Sequence, residues 1–491
     1  MSPAAPSPAS GPLSIHLIGV CGTGMGSFAG LLKAAGHHVR GSDANVYPPM
    51  SDKLRDWGIP VARGYRPENL EPEPDLVIVG NVIRRDNPEA AAVRERGLEQ
   101  VSFPEALSRL FLTDRRSLVV AGTHGKTTTT SLLAWLLTDA GQDPGLLVGG
   151  VPGNFGEGFR HGRGPCFVVE GDEYDTAYFD KRPKFLHYRP RVAVLTSIEF
   201  DHADIYDGVE AIERRFDELV ALVPAPDHGG RILACASFPR VMARRDRAPR
   251  PEAWQTYSAR PEVEARWRAE RVVAEDGGQT FDLLDGPSNR GRFHLPMTGR
   301  HNLENAVAAL AVALQEGVPV ATLQSSLPRF EGVARRQTVR AVVDDVTLID
   351  DFAHHPTAVQ RTLEGLAEQR RGRLLAVFEP RTATSSRAFF QDAYARSFGA
   401  ADRVYLAPVG RTELAAEERL DVARLAEEIS AEGPPATAFD TIAAIVEALD
   451  AETRPGDVVV FMSNGAFGGI HDDVEARLQA RIEAPGDSVD R

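Results

Sequence analysis

The chain has few cysteines and no long apolar run, and these two absences exclude several classes of protein. Only three of its 491 residues are cysteines, Cys21, Cys166 and Cys235, and their spacing fits neither a zinc site nor a disulfide framework. No stretch of 18 or more residues is continuously apolar, so we expect no membrane-spanning helix. Together these absences predict a cytoplasmic protein in a reducing compartment.

Basic residues are also in short supply. Lys and Arg number 55 against 69 Asp and Glu, which gives a formal net charge of −14. Nucleic acids and anionic membranes both require a basic surface, so neither is an expected partner. Residues 1–13 (MSPAAPSPASGPL) contain no Lys or Arg and no apolar segment, and therefore predict a disordered tail rather than a signal peptide.

The clearest chemical signal lies between Leu118 and Leu137. A short apolar strand runs into GTHGKTT (residues 122–128), and a helix with an apolar face follows. Such a turn lets backbone N–H groups face a phosphate, while Lys126 reaches the outer phosphates and the Thr127 hydroxyl holds Mg²⁺. Val120 stands where the usual pattern has its first glycine, so this loop is shortened. The stretch predicts ATP and Mg²⁺ binding; the alternative is a Gly/Thr-rich turn without a ligand.

A second glycine-rich turn lies near the N-terminus. The apolar strand Ser14–Val20 leads into residues 22–26 (GTGMG), a helix is predicted over Phe28–Ala35, and the strand His38–Gly41 ends close to Asp43. Strand, glycine turn, helix, strand and acid is the order of a nucleotide-binding β-α-β unit. The glycine pattern alone fits a simple turn equally well and does not identify NAD as the ligand.

Two polar side chains follow apolar strands in the middle of the chain. Glu170 ends the strand Phe167–Val169, and His202 follows the strand Arg191–Thr196. Ligands bind beyond the carboxyl ends of strands in open α/β sheets, and Mg²⁺ prefers oxygen ligands, so Glu170 is a predicted magnesium ligand. His202 is either a ligand or a structural histidine. The other acids of EGDEYDT are weaker candidates that would also suit a solvated loop: Asp172, Glu173 and Asp175.

Two further clusters lie closer to the C-terminus. Asn302 and Asn305 share one face of a predicted helix, where two amides suit the edge of a base, although Asn302 alone would also suit a helix N-cap. Asp351 follows a predicted strand and precedes His354 and His355. This cluster is either a ribose and substrate contact or only a turn before a helix, with Asp and Thr as capping residues.

Strands alternate with helices in three consecutive stretches, which predicts an α/β protein with mostly parallel sheets. We expect a Rossmann-like N-terminal domain over residues 14–113, a central P-loop ATPase domain over 114–333 and a Rossmann-like C-terminal domain over 334–491. Residues 238–296 read as an antiparallel insertion or an extension of the central sheet.

Five motifs, in this order, resemble those of the Mur ligases of bacterial cell-wall synthesis: GTHGKTT, EGDEYDTAYFDKR, IEFDHADIY, GRHNLENA and DDFAHHPT. GVCGTGMG and SDANVYPPM resemble the subgroup that acts on UDP-N-acetylmuramate. SDANVYPPM, EFDHADIYD, FEPRTATSS and MSNGAFGGIH are similar to the members that join L-alanyl-γ-D-glutamyl-meso-diaminopimelate to this sugar nucleotide in peptidoglycan recycling. The resemblance covers the chain from Ser14 to about Ile470.

The resemblance implies an ATP-dependent amide ligase with three domains, for the UDP-sugar, for ATP and for the incoming peptide. The lactyl carboxylate of UDP-N-acetylmuramate would be phosphorylated by ATP, and the amine of the murein tripeptide would attack the acyl phosphate. A monomer or weak homo-oligomer is expected. The nearest alternative is the L-alanine ligase of the same family. A nicotinamide dehydrogenase would not explain the phosphate loop, and a nucleotide switch would not need three domains.

The resemblance also implies roles for individual residues at the positions that match the family's motifs. The implied catalytic residues are Lys126, His202 and Arg336, and the implied metal ligands are Thr127, Glu170 and His202. The implied ATP contacts are Gly122, Thr123, His124, Gly125, Lys126, Thr127, Thr128, Asn302, Asn305, Arg336 and Asp351. The implied substrate contacts are Gly22, Gly24, Met25, Gly26, Asp43 and Asn81 for the UDP-sugar, with His355, Arg381, Ser463 and Asn464. Asp217 stands where several Mur ligases have a carbamylated lysine, so the chain is expected to work without a carbamate.

Overall fold

A computed structural model describes residues 11–275, 277–410 and 414–483. Three helix-covered sheets follow one another along the chain, which confirms the predicted α/β fold with its three domains. Residues 1–10 of the predicted tail and the last residues, 484–491, lie outside the described residues. Among the described helices, none has both the length and the apolar character needed to cross a membrane.

The N-terminal sheet is parallel throughout, with the strand order β3-β2-β1-β4-β5 that is typical of nucleotide-binding folds. Its strands are β1 (Ser14–Ile18), β2 (His38–Asp43), β3 (Val61–Arg63), β4 (Leu76–Val79) and β5 (Gln100–Ser102). Its helices are α1 (Thr23–Ala34), α2 (Met50–Asp56), α3 (Pro88–Glu95) and α4 (Phe103–Leu107). The helix α1 begins earlier than predicted, because Gly22 is its N-cap and most of the glycine turn forms its first turn.

The central sheet has ten strands in the order β17-β16-β15-β14-β13-β12-β6-β9-β7-β8. The strands of this domain are β6 (Arg116–Ala121), β7 (Gly145–Leu147), β8 (Phe159–Arg160), β9 (Cys166–Gly171), the separate hairpin of β10 (Asp175–Ala177) and β11 (Asp180–Pro183), β12 (Val192–Leu195), β13 (Arg231–Cys235), β14 (Trp254–Ser258), β15 (Trp267–Glu275), β16 (Gly278–Asp285) and β17 (Ser288–Leu295). Its helices are α5 (Lys126–Asp139), α6 (Val209–Leu222), α7 (Pro239–Met242), α8 (Arg300–Gln315) and α9 (Val320–Ser326). Residues 238–296 extend the sheet as predicted, since β15, β16 and β17 pair antiparallel at its edge.

The C-terminal sheet has six strands in the order β18-β19-β23-β20-β21-β22. Its strands are β18 (Thr338–Val343), β19 (Val346–Asp351), β20 (Leu374–Phe378), β21 (Arg403–Leu406), β22 (Ala436–Ala438) and β23 (Val458–Met462). Its helices are α10 (Pro356–Ala367), α11 (Gln391–Ala395), α12 (Val422–Glu432), α13 (Ile442–Glu452) and α14 (Ile470–Glu483). The antiparallel edge strand β18 was not predicted.

The apolar cores show how the domains are joined. One continuous cluster of buried apolar residues runs from Ile15 to Val333 and so unites the N-terminal and central domains. The C-terminal domain has its own clusters on the two sides of its sheet. It meets the central domain through α10, which crosses α8 so closely that a Cβ added to Gly365 would lie 2.8 Å from the Cα of Gly299.

Candidate active site at the phosphate loop

The loop between β6 and α5 requires glycine at two positions. Gly122 (φ +142°) and Gly125 (φ +80°) both lie in backbone regions that favour glycine. A Cβ on Gly122 would lie 2.1 Å from the Thr196 hydroxyl, and one on Gly125 would lie 2.4 Å from Oδ1 of Asn305. The loop is therefore pressed against the end of β12 on one side and against α8 on the other.

The loop amides divide into two groups. The N–H groups of Thr123 and His124 donate to the carbonyl and the hydroxyl of Ser197, at 3.0 and 2.8 Å, so these two are not free to bind a phosphate. The amides of the first turn of α5 remain, which include those of Thr127 and Thr128, because the first N–H groups of a helix have no intrahelical acceptor. They lie at the positive end of the helix dipole, which favours an anion there.

Lys126 is held inside the loop. Its Nζ donates to Glu173 Oε2 at 2.8 Å and to the Gly122 carbonyl at 2.5 Å. Burial alone would lower the pKa of Lys126, but the nearby carboxylates of Glu173, Asp172 and Glu170 raise it above its ordinary value. Lys126 is therefore a cation. Glu173 is almost fully buried, which contradicts the reading of this residue as part of a solvated acidic loop.

Thr127 and Glu170 meet as the sequence predicted. The Thr127 hydroxyl donates to Glu170 Oε1 at 3.0 Å, and the other carboxylate oxygen of Glu170 accepts from the Gly149 amide at 2.8 Å. The strands β6 and β9 are parallel neighbours, so their carboxyl ends open on the same edge of the sheet. A hydroxyl and a carboxylate side by side are the hard oxygen donors that Mg²⁺ prefers.

His202 lies beside a different pair of acids. Its Nε2 is 3.9 Å from Glu173 Oε2, and its backbone adopts the left-handed region (φ +57°) that is uncommon outside glycine. Ligand atoms of Asp172, Glu173 and His202 all lie within 4.8 Å of one another. The sequence grouped His202 with Glu170 and treated Asp172 and Glu173 as secondary, whereas the structure places these two acids next to both Lys126 and His202.

The two asparagines of α8 share one face, as predicted. Gly299 is the N-cap of this helix, so the capping explanation for Asn302 is wrong. The side-chain amide of Asn302 donates to the Thr298 carbonyl at 2.9 Å, and Oδ1 of Asn305 accepts from the Thr129 hydroxyl at 3.1 Å. Asn305 thus supports the phosphate loop from behind, and its contact with adenine stays a prediction.

The junction with the C-terminal domain brings further predicted residues to this edge. The Arg336 guanidinium lies 4.8 Å from the centre of the Phe352 ring. Asp351 is buried, which raises its pKa despite nearby Arg336, and its oxygens accept from the amides of Gln337 and Ala353 at 2.8 Å each. These bonds are internal to the C-terminal domain, so the predicted ribose contact of Asp351 stays a prediction.

His355 is the N-cap of α10, so the turn before a helix is present, but the cap is this histidine and not the aspartate or threonine that the turn alternative named. Its Nδ1 accepts from the Thr357 amide at 3.3 Å, while Nε2 lies 3.2 Å from the Phe200 carbonyl. This pattern assigns the proton to Nε2 of a neutral ring, and burial lowers the pKa of His355 to about 4. The neighbouring Glu199, which sequence reasoning passed over, binds His124 at 2.7 Å.

The glycine turn of the N-terminal domain has open space beside its first two glycines. Cβ atoms added to Gly22 and Gly24 would meet nothing within 4 Å, whereas one added to Gly26 would clash with Met50. Asp43 accepts from the amides of Cys21 at 2.8 Å and Asn45 at 2.9 Å, so it ties this turn to the end of β2.

Met25 and Asn81 are the other two predicted contacts of the UDP-sugar near this turn. The Met25 side chain belongs to the apolar core, so only its backbone can face a ligand at the turn. Asn81 follows β4, the strand that pairs with β1 on the opposite side from β2.

Two strand ends of the C-terminal domain bring Arg381 to the loop at Ser463 and Asn464. A Cβ added to Gly465 would lie 2.0 Å from Nη1 of Arg381, so the exposed guanidinium rests on the loop backbone. The Ser463 hydroxyl donates to Glu379 and accepts from the Gly465 amide at 2.9 Å.

Asp217 is paired with two arginines of the central domain, and the expectation that the chain works without a carbamate stays a prediction. It lies on α6, and its carboxylate is 3.2 Å from Arg244 and 3.8 Å from Arg247.

Comparison with known proteins assigns all three sheets to one family. A model described as Mur ligase family, catalytic domain, matches residues 14–115; Mur ligase middle domain matches 120–313; and Mur ligase, glutamate ligase domain, matches 334–465.

Individual relatives cover almost the whole chain. The UDP-N-acetylmuramate–L-alanyl-γ-D-glutamyl-meso-2,6-diaminoheptandioate ligase of Escherichia coli K12 is 40% identical over 96% of this chain and 100% of its own length. The UDP-N-acetylmuramate–L-alanine ligase of Rhizobium johnstonii is 35% identical over 92% of this chain and 94% of its own. The crystal structure of a murein peptide ligase from Psychrobacter arcticus matches with a TM-score of 0.68 and 35% identity, over 95% of this chain and 99% of that one.

Proposed function

Because the chain belongs to the Mur ligase family, we propose that it joins L-alanyl-γ-D-glutamyl-meso-diaminopimelate to UDP-N-acetylmuramate, with ATP as the energy source, in the recycling of peptidoglycan. The observation that carries the chemistry is the buried ammonium of Lys126, which lies at the start of α5 next to the paired oxygens of Thr127 and Glu170. A site with one fixed cation, free helix amides and hard oxygen donors suits phosphoryl transfer. The tripeptide is favoured over L-alanine by the higher identity to the E. coli tripeptide ligase.

The reaction takes two steps. A lactyl carboxylate oxygen of UDP-N-acetylmuramate attacks the γ-phosphorus of ATP, the bond to the β-phosphate oxygen breaks, and ADP leaves. The amine of the peptide then attacks the carbonyl carbon of the acyl phosphate, loses a proton and expels phosphate. Lys126 and the first-turn amides of α5 stabilise the charge on the transferred phosphoryl oxygens.

Residues around the loop fit a magnesium ion. Thr127 and Glu170 would hold it, with His202 and Glu173 close by, and it would neutralise negative charge on the phosphates when bound. The open glycine turn at Gly22 and Gly24 binds the diphosphate of the UDP-sugar, with Asp43 and Asn81 beside it. The exposed Arg381 beside the loop at Ser463 and Asn464 receives a carboxylate of the peptide.

A substrate-choice experiment tests the proposal. Purified protein is incubated with ATP, Mg²⁺ and UDP-N-acetylmuramate, and with either the tripeptide or L-alanine; ADP release and product mass are measured. We expect the amide product with the tripeptide and no ADP release above background with L-alanine. ADP release and product with L-alanine alone would overturn the proposed acceptor, and no ADP release with either would overturn the ligase reaction.

A substitution tests the role of the loop. Lys126→Ala should reduce product formation by at least about 100-fold while leaving UDP-sugar binding intact, because a charge-stabilising group of the transition state is lost. Lys33→Ala, which removes an exposed lysine from α1, is the matched control and should keep full activity. Unchanged turnover of Lys126→Ala would refute the assigned role.

A further inference from the structure

One carboxylate connects the phosphate loop to the C-terminal domain. Oε2 of Glu199 lies 2.7 Å from Nε2 of His124, a loop residue, and Oε1 accepts from the hydroxyl of Thr357, on α10, at 3.1 Å. The Glu199 amide also donates to the Thr123 hydroxyl at 2.9 Å. Each oxygen of Glu199 therefore serves a different domain, and its backbone is fixed to the loop.

Charge and protonation agree with this geometry. Burial alone would raise the pKa of Glu199, but the hydrogen bond and charge of His124 lower it to about 2. An ionised carboxylate only accepts hydrogen bonds, so both His124 and Thr357 must be donors. Hydrogen bonds to a charged acceptor are the stronger kind.

A second contact brings the same elements together. The His355 ring donates to the carbonyl of Phe200, the residue after Glu199, and its centre lies 4.7 Å from that of the His124 ring. The N-terminus of α10 is thereby seated on residues 199–200. If the C-terminal domain undocked, Glu199 would lose its contact with Thr357, and His124 would lose the His355 ring packed against it.

We infer that Glu199 is a positioning residue that couples docking of the C-terminal domain to the conformation of the phosphate loop. The inference rests on the proposed function in one respect only, namely that loop conformation matters for ATP turnover. Docking of the C-terminal domain fixes the orientation of His124 through Glu199. The phosphate loop then adopts the conformation that supports ATP turnover only when the C-terminal domain is docked. Glu199 itself touches no reacting atom.

A double-mutant cycle tests this coupling in the full chain. The variants are Glu199→Ala, Thr357→Val and the two combined, and the readouts are the affinity for a non-hydrolysable ATP analogue by calorimetry and kcat and KM for ligation. We expect a loss of about 10- to 100-fold in kcat/KM for Glu199→Ala. Thr357→Val should lose several-fold, and the double variant should be no worse than Glu199→Ala, because both act through one carboxylate.

Two readouts separate coupling from a merely structural role. Hydrogen exchange at the start of α10 should accelerate in both single variants, while the thermal midpoint and the affinity for UDP-N-acetylmuramate stay unchanged. Glu199→Gln should recover part of the docking, since its amide oxygen can still accept from Thr357. Glu157→Ala is the matched control. It removes a carboxylate that pairs with Lys53 at 2.8 Å between the N-terminal and central domains, and its affinity for the ATP analogue should stay within twofold of the wild-type value.

Additive losses in the cycle, or a Thr357→Val variant with normal exchange and normal turnover, would overturn the inference. Failure of the proposed function would look different. A wild-type protein that does not ligate the tripeptide would still report ATP-analogue affinity and α10 exchange, so the Glu199 cycle could still be completed.

Discussion

The two junctions between domains differ in chemistry. Between the N-terminal and central domains, Trp57 meets Phe159 edge-on with ring centres 5.1 Å apart, inside one continuous apolar core. The central and C-terminal domains share no buried apolar cluster among the described residues. There Glu199 binds Thr357, Arg361 lies 3.7 Å from Glu304, and the half-exposed Phe389 ring packs 5.3 Å from that of Phe200. Separating apolar surfaces exposes them to water at a cost proportional to their area, whereas water can replace most lost polar contacts. We therefore expect the C-terminal domain to undock more readily than the N-terminal domain.

This difference suits the proposed two-step reaction. The acyl phosphate must be shielded from water while it exists, yet ADP and the peptide product must leave afterwards. In the proposed reaction, the polar junction would open for exchange, while the apolar junction would keep the glycine turn at Gly22 and Gly24 in a fixed position relative to the phosphate loop. Breaking the two junctions separately should therefore give different phenotypes.

The largest effect is expected at the apolar junction. A Cβ on Gly30 would lie 2.4 Å from the Phe159 ring, so Gly30→Leu should overpack the junction and lower the free energy of unfolding by about 3 kcal/mol. Denaturant unfolding followed by circular dichroism measures this change. Gly24→Leu adds the same side chain to the same helix where nothing lies within 4 Å, and should be neutral or slightly stabilising. Equal stabilities for the two variants would contradict the packed junction.

The next effect is expected where α10 crosses α8. Gly365→Ala places a methyl group against the Gly299 backbone, so docking should weaken by about 1–3 kcal/mol, or roughly 5- to 150-fold in kcat/KM. Unlike Gly30→Leu, it should not lower overall stability, because alanine favours the helix. Steady-state kinetics and thermal unfolding together check both parts.

Gly399→Ala, in the same domain but with open space around it, is the control and should retain full activity. A Gly365→Ala variant as active as this control would show that the close approach of the two helices does not matter for turnover.

Acid should open the polar junction before it affects the apolar one. Burial lowers the pKa of His355 from 6.5 to about 4, so the docked state binds fewer protons than the undocked state. Docking is then fully stabilised above pH 6.5 and weakens as the pH falls towards 4, by at most about 2 kcal/mol at pH 5. Small-angle scattering between pH 7.5 and 5 should report an expanding particle.

His355→Asn tests the cause of this opening. Asparagine is a strong N-cap and does not titrate in this range, so the variant should keep the helix end but lose most of the expansion between pH 7.5 and 5. The facing groups are His124, His354, Asp201 and Glu199. Wild-type-like expansion of His355→Asn would assign the opening to one of these.

What could be predicted from the sequence was largely local. The phosphate loop is contiguous, and Asn302 and Asn305 are three residues apart on one helix, so spacing alone placed them. Parallel strands open on one edge, which brought Thr127 and Glu170 together. Contacts made away from strand ends left no such signal, because Glu173 lies in the loop after β9, 47 residues from Lys126, and Thr357 lies in another domain, 158 residues from Glu199.

The edge strand β18 was missed for another reason. Asp344 and Asp345 both have positive φ, at +52° and +59°, which is the geometry of a tight hairpin turn. Aspartate tolerates this region less readily than glycine or asparagine, so the dipeptide between two valine-rich segments was a weak turn signal. The strand itself (TVRAVV) shows no regular alternation of apolar and polar residues, and its valines Val339 and Val342 are exposed, so its pattern did not indicate a half-buried strand either.

The smallest effect is expected from a single ion pair at the polar junction. Arg361 spans the junction to Glu304 and also lies 4.6 Å from the Phe238 ring, so Arg361→Met should weaken docking by about 0.5–1 kcal/mol, or two- to fivefold in kcat/KM. Arg300→Met is the control, because Arg300 pairs with Glu262 at a similar 3.8 Å within the central domain and should change nothing. The difference between the two variants should shrink as salt is raised, since screening weakens the ion pair in the wild type as well. A salt-independent difference would assign the contribution of Arg361 to its contact with the aromatic ring, and the polar junction would then depend on packing in the same way as the apolar one.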